Sequence, residues 1–175
     1  MLEEHAEIGQ PVHCTGLLGT QAFDEFDLPR SLILAEAGVA RFWGATGQSV
    51  PLRSDRVNAT VIDRAALDRH LAARAVTAGV DLRCDVRVDQ VTVSADRVVV
   101  SGRGLAQPID ARAAVLACGA SYRFHRSLGL GLPEVFLQSA QVESPFPAHP
   151  EIEVQFGREV APSGFAWMVP FRRGD

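Results

Sequence analysis

The sequence predicts an α/β fold, and three features carry that expectation. A helix is written over 64–78. Short apolar or alternating runs that read as strands stand on both sides of it. Two pairs of these runs are joined by turn residues and read as hairpins. The order strand, helix, strand, hairpin, strand suits an α/β sheet with an antiparallel flap beside it.

The helix is the clearest element. Asp63 is a good N-cap. Leu67, Leu71 and Ala75 recur at four-residue spacing with Ala72 and Ala78 beside them, and Gly79 stands where a left-handed closing residue belongs. Upstream, 21–36 mixes acids with Phe23, Phe26, Leu28, Leu32, Ile33 and Leu34, and reads as a short helical or irregular segment broken near Pro29. Residues 38–53 read as a hairpin. Val39, Phe42 and Trp43 precede a Gly-Ala-Thr-Gly turn, and Val50 and Leu52 follow it. Downstream, Asp81–Val88 reads as a short, partly alternating strand. Val91–Val93 and Val98–Val100 flank a Ser-Ala-Asp-Arg turn. The apolar run 113–118 has the character of a buried parallel strand. Past residue 130, Pro133, Pro145, Pro147 and Pro150 punctuate strand-like pieces. Ile152–Phe156 alternates as a half-buried strand, and Phe165 and Trp167 share one face of the last.

At 175 residues, 47% of them apolar, the chain can bury one good core. A net charge of −4 with scattered basic residues argues against a nucleic-acid surface. The three cysteines, Cys14, Cys84 and Cys118, are odd in number and widely spaced, which fits neither a disulfide framework nor a zinc site. No metal site is expected. No apolar run reaches the roughly 18 residues of a membrane span, and no signal peptide is visible. The expectation is a cytoplasmic protein with reduced thiols.

The opening residues carry the most chemistry. They read as the end of a dinucleotide-binding unit, in which a strand finishes on an acid that hydrogen-bonds the adenosine ribose. Leu2 would end the strand and Glu3 would be that acid. The Gly-rich phosphate turn about 20 residues earlier would lie before Met1. The loop Ile8–Gly16 follows, and its glycines permit close backbone approach to a flat ring. Arg64 stands in the first turn of the helix, where a cation opposes the helix dipole. A guanidinium there can grip pyrophosphate oxygens, or it can pair with Asp63 or Asp68. Phe165 and Trp167 can line an apolar groove or form a sheet core.

Four stretches taken together resemble the geranylgeranyl reductase family of flavoproteins. They are the acid followed by Ile8-Gly9-x-Pro11 and Cys14-x-Gly16, the helix opening Val61–Leu71 with Gly79, a partial match at Ala117–Ser121, and Phe165-x-Trp167-x-Val169-Pro170. The resemblance implies a partial FAD-binding, Rossmann-like domain with antiparallel hairpins over 1–128, with a hairpin insert near 38–53. A mixed or antiparallel substrate domain would begin over 129–175. It implies FAD as cofactor, held by Glu3, Cys14, Thr15, Arg64 and the backbone of Val88. Phe165 and Trp167 would bind substrate. Catalytic residues are unassigned, and His13 reads as a solvated or packed side chain.

The activity implied is reduction of double bonds in an isoprenoid lipid or quinone tail, with NAD(P)H or a ferredoxin-like protein as electron donor and a peripheral contact with a membrane. An FAD-dependent monooxygenase or hydroxylase is the alternative, as is a non-catalytic truncated remnant. An internal fragment lacking the phosphate turn is expected to bind FAD weakly or not at all when isolated.

Overall fold

A computed structural model describes residues 1–145 and 151–172. Its elements in chain order are β1 (Leu17–Gly19), α1 (Gln21–Glu25), a 3₁₀ turn (Arg30–Leu32), β2 (Ile33–Ala37), β3 (Val39–Trp43), β4 (Ser49–Arg53), β5 (Ala59–Ile62), α2 (Arg64–Thr77), β6 (Arg87–Val93), β7 (Val98–Arg103), β8 (Ile109–Ala111), β9 (Ile152–Phe156) and β10 (Phe165–Met168). This is a mixed α/β chain with small, mostly antiparallel sheets, as expected. It divides into two compact units that interleave along the sequence, 1–10 with 69–136 and 11–68 with 137–175. The functional division expected at residue 128 is a different partition. Pro147 and Pro150 lie outside the described residues.

In the unit formed by 11–68 and 137–175, one sheet has the order β1-β5-β2, all antiparallel. Its middle strand is the most deeply buried stretch among the described residues, with Thr60 at 0% and Val61 at 2% exposure. Thr60 is polar, yet its Oγ1 donates to the Leu18 carbonyl, so its burial leaves no donor unmet. Phe23, Leu28, Leu32, Ile62 and Leu67 pack together as the core of this unit. The irregular 21–36 segment is therefore a set of short pieces, α1, the 3₁₀ turn after Pro29, and β2, that deliver apolar side chains to one cluster.

The second sheet of this unit has the order β10-β9-β3-β4. The β3–β4 hairpin is the one expected at 38–53, and the Gly47 N–H to Gly44 carbonyl bond closes its turn. β3 also pairs in parallel with β9, more than a hundred residues later. Arg41 fastens that junction. Its Nε and Nη2 both reach Glu151 Oε2 at 2.8 Å, and neither side chain is much exposed.

In the unit formed by 1–10 and 69–136, β6, β7 and β8 make an antiparallel sheet. Val91, Val98 and Phe124 form its core. The β6–β7 turn is at Ser94–Arg97, as expected, and is held by the Ser94 N–H on the Arg97 carbonyl. Gly102 lies against a bulge in β6, where a Cβ would stand 2.0 Å from the Arg87 carbonyl oxygen.

Helix α2 matches its expected bounds closely. Asp63 Oδ1 accepts the Ala66 N–H at 2.9 Å. At the other end Gly79 has φ +92, and the Val80 N–H reaches the Ala75 carbonyl.

Three expectations need correction. The run 113–118 is not a buried strand: β8 ends at Ala111 and Val115 is 90% exposed. An apolar run becomes a strand only with a ladder partner, and none of the described strands pairs with it. Of Asp81–Val88 only Arg87 and Val88 are strand, at the start of β6. Arg83 makes a single parallel bridge to Leu2, and Asp85 at φ +57 turns the backbone out of extended geometry before β6 starts at Arg87. Leu71 is 44% exposed, while Ala65, Leu67 and Ala72 are buried. One position is about 100° round a helix, which separates exposed Leu71 from buried Ala72.

Gly16 is the most tightly packed of the described glycines in the unit that holds α2's first turn. It has φ +79, and a Cβ there would stand 2.4 Å from the Ile62 carbonyl oxygen. Gly16→Ala is expected to cost about 1–3 kcal/mol from backbone conformation alone, with the clash added. Thermal denaturation should show a midpoint lowered by about 5 °C or more. An unchanged midpoint would mean that the loop is not seated on β5.

Candidate functional site

A groove of about 1010 Å³ runs through the unit formed by 11–68 and 137–175. Three stretches of chain build it. The first is the loop that ends at Gly16, the second the junction of β5 with α2, and the third β10 with the segment 137–144. The loop is seated by main-chain contact. The Ile62 N–H donates to the Gly16 carbonyl at 2.9 Å, and Gly16 leaves no room for a side chain between them. Seating Gly16 on Ile62 brings Cys14 and Thr15 to the groove beside Arg64, two residues further along the second chain.

Arg64 is half-buried. Its Nη2 donates to Asp68 Oδ1 at 3.1 Å, one turn along the helix. Its Nε is buried with no hydrogen-bond partner. Burial works against the guanidinium charge. The Asp68 carboxylate and the Cys14 sulfur outweigh it and hold the Arg64 pKa above its ordinary value. The side chain is thus a permanent cation with one N–H unmatched. A buried donor of that kind fits an anionic oxygen.

Thr15 has a structural task as well. The Trp167 Nε1–H donates to Thr15 Oγ1 at 2.8 Å, and the Thr15 hydroxyl donates to Gln141 Oε1 at 3.0 Å. The chain of bonds ties the loop, β10 and the 137–144 segment together. Trp167 is half-buried, and Phe165 beside it is 52% exposed, with ring centroids 6.0 Å apart. The two rings meet on one side of β10, and both line the groove. Cys14 is exposed, and the Gly16 N–H points to its sulfur at 3.5 Å. His13 is exposed, in keeping with a solvated side chain.

Five expected site residues, Cys14, Thr15, Arg64, Phe165 and Trp167, therefore line a single groove. Glu3 and Val88 belong to the other compact unit. There the Glu3 N–H donates to the Arg83 carbonyl, and the Glu3 carbonyl accepts the Val86 N–H. Glu3 Oε1 accepts the His5 N–H at 2.9 Å and lies 2.6 Å from its Nδ1. Val88 sits at the β6 bulge opposite Gly102, packed on the Val91, Val98 and Phe124 cluster. Sequence reasoning missed Gln141. It lies 126 positions from the hydroxyl it accepts, in a stretch with no periodicity to mark it. Among the described residues no cluster of acids, histidines or cysteines could hold a metal, and no helix is long and apolar enough to cross a membrane.

No family model matches the chain. It is 27% identical over 182 residues to the digeranylgeranylglycerophospholipid reductase of Methanoculleus marisnigri, a match covering 97% of this chain and 46% of that protein. A geranylgeranyl bacteriochlorophyll reductase-like protein from Thermoplasma acidophilum superposes with a TM-score of 0.75 at 27% identity, over 98% of this chain and 47% of that one. A flavoprotein/dehydrogenase from Cytophaga hutchinsonii shares the fold, with a TM-score of 0.66 at 20% identity, over 97% of this chain and 46% of that one. The chain spans about half the length of the relatives it matches. Over that half it is similar, in sequence and in fold, to the geranylgeranyl reductase family of flavoproteins.

Proposed function

We propose that this chain is part of an FAD-dependent oxidoreductase that reduces double bonds of an isoprenoid lipid or quinone tail. The observation that carries the reading is the groove itself. It sets an unmatched guanidinium N–H and a thiol beside a wall containing Phe165 and Trp167. Such a site suits an anionic cofactor meeting an apolar substrate. The likeness over the whole chain to proteins named as geranylgeranyl-type reductases supports the same reading.

In this proposal Arg64 holds a phosphate oxygen of FAD through the N–H that has no partner in the protein. Glu3 accepts hydroxyl hydrogens of the ribose, and Val88 meets the adenine through its backbone. Cys14 and Thr15 border the flavin ring. Bound FAD supplies a carrier that accepts two electrons and passes them on as hydride. The protein's own part is to position the substrate and exclude water, which Phe165 and Trp167 do on the apolar wall. Residues 1–128 serve the cofactor and 129–175 begin the substrate side. The electron donor is NAD(P)H or a ferredoxin-like protein, and the site is cytoplasmic, drawing its lipid from a membrane it touches peripherally.

The absorption spectrum of the purified full-length protein tests the reading. Flavin bands that bleach on reduction and return when a geranylgeranyl lipid is added are expected, and a colourless protein would overturn it. Arg64→Ala removes a charge-assisted bond of about 1.5–3 kcal/mol. It should weaken FAD retention by roughly ten- to a hundredfold, read as flavin lost on dialysis, and full retention would place the phosphate elsewhere. Trp167→Ala should raise the lipid concentration needed for half-maximal turnover several-fold while a small donor still reduces the flavin. Equal loss of both activities would make Trp167 a folding residue.

A further inference from the structure

The β10-β9-β3-β4 sheet has one face that carries no polar side chain. Strand register shows it, because directly paired residues share a face and alternate residues along a strand do too. Val50 pairs with Phe42, and Leu52 with Ala40. Phe42 and Ala40 pair in turn with Val154 and Ile152. Val154 then pairs with Trp167, and Phe156 with Phe165. The opposite face carries Arg41, Arg53, Glu153 and Gln155 by the same register.

This apolar face is buried at Ile152, 7% exposed, and half-buried or open elsewhere. Val50 is 68% exposed, Leu52 62% and Phe156 44%, and neither buried core cluster contains a residue of the sheet. Its aromatic rings are in contact from strand to strand. Phe165 touches Trp167 at 6.0 Å between centroids, Phe156 touches Phe165 at 6.1 Å, and Phe42 stacks on Phe156 at 6.4 Å. Trp167 and Phe165 are already part of the groove wall. The apolar surface thus runs on, without a polar break, from the groove across three strand spacings, about 14 Å.

We propose that this sheet face is a continuation of the groove, a track along which the hydrocarbon chain of the substrate lies, and that Phe42 and Val50 at its far end set the length of chain accepted. The inference rests on the substrate class proposed above. A hydrocarbon tail asks for apolar area and nothing else, which is what this face offers. It reaches the face from the groove without crossing a charge.

Titration of the tryptophan fluorescence with geraniol, farnesol and geranylgeraniol tests it, using the purified full-length protein. Affinity should rise by roughly tenfold with each added isoprene unit. Val50→Glu is a change at an exposed position and should spare folding, as far-ultraviolet circular dichroism would show. It should lower the ratio of geranylgeraniol to geraniol affinity by about tenfold. Phe42→Ala should lower that ratio in the same direction. Three alcohols bound equally well, or a ratio untouched by both changes, would overturn the track. So would a wild-type dimer that Val50→Glu splits in sedimentation, because the face would then be a contact between copies. If none of the alcohols binds while the flavin spectrum is intact, the substrate class falls and the track falls with it. Loss of length selectivity alone removes only the track.

Discussion

The seating of Gly16 on the Ile62 backbone is the contact on which the groove depends. Two stretches far apart in sequence meet there at the distance of bare main chain. A residue with a Cβ would hold them apart, and a residue unwilling to take positive φ would send the loop elsewhere. Because the contact is that close, Cys14 and Thr15 stand beside the first turn of α2. Asp63 starts that turn by capping it, so Arg64 emerges at a fixed place. Thr15 then passes the loop's position on to Trp167 and Gln141. A close approach, a helix cap and two side-chain hydrogen bonds account for the arrangement.

The parts of the fold legible in the sequence were those set by local chemistry. Asp63 and Gly79 bracket α2 because capping and left-handed closure depend on residues within a turn of the helix end. Both hairpins were legible because their turns lie between the strands they join. The apolar run 113–118 misled for the opposite reason. Its hydrophobicity is local, but a strand exists only through a partner, and the sequence of the run says nothing about one. Asp85 is a case between the two, a residue type that tolerates positive φ, placed where alternation alone suggested continuous extension.

The site was legible to the extent that its residues carried unusual placement. Arg64 stood out because a cation in the first turn opposes the helix dipole, and the fold brings it to the groove with its Nε unpartnered. Phe165 and Trp167, two apart, asked for a common face, and their rings do meet. Gln141 carried no such sign, and neither did the pairing of β3 with β9. Both are contacts over more than a hundred residues, and both depend on where the chain returns rather than on what the local sequence prefers.

That return has a consequence for how the protein is made. The β3–β4 hairpin is complete once Arg53 has been synthesised, but β9 and β10 come a hundred residues later. Loop closure over that span is slow compared with forming the hairpin. During synthesis and early folding the hairpin holds out Val50, Leu52 and Phe42 with an unpaired strand edge at β3, the kind of surface that captures other chains. One proline and two arginines in this hairpin, Pro51, Arg41 and Arg53, are of the residue types that discourage such capture. The pairing that gives the mature sheet its width thus also sets an interval in which the nascent chain is most exposed to aggregation, and a chaperone would have most to protect before Glu151 arrives to meet Arg41.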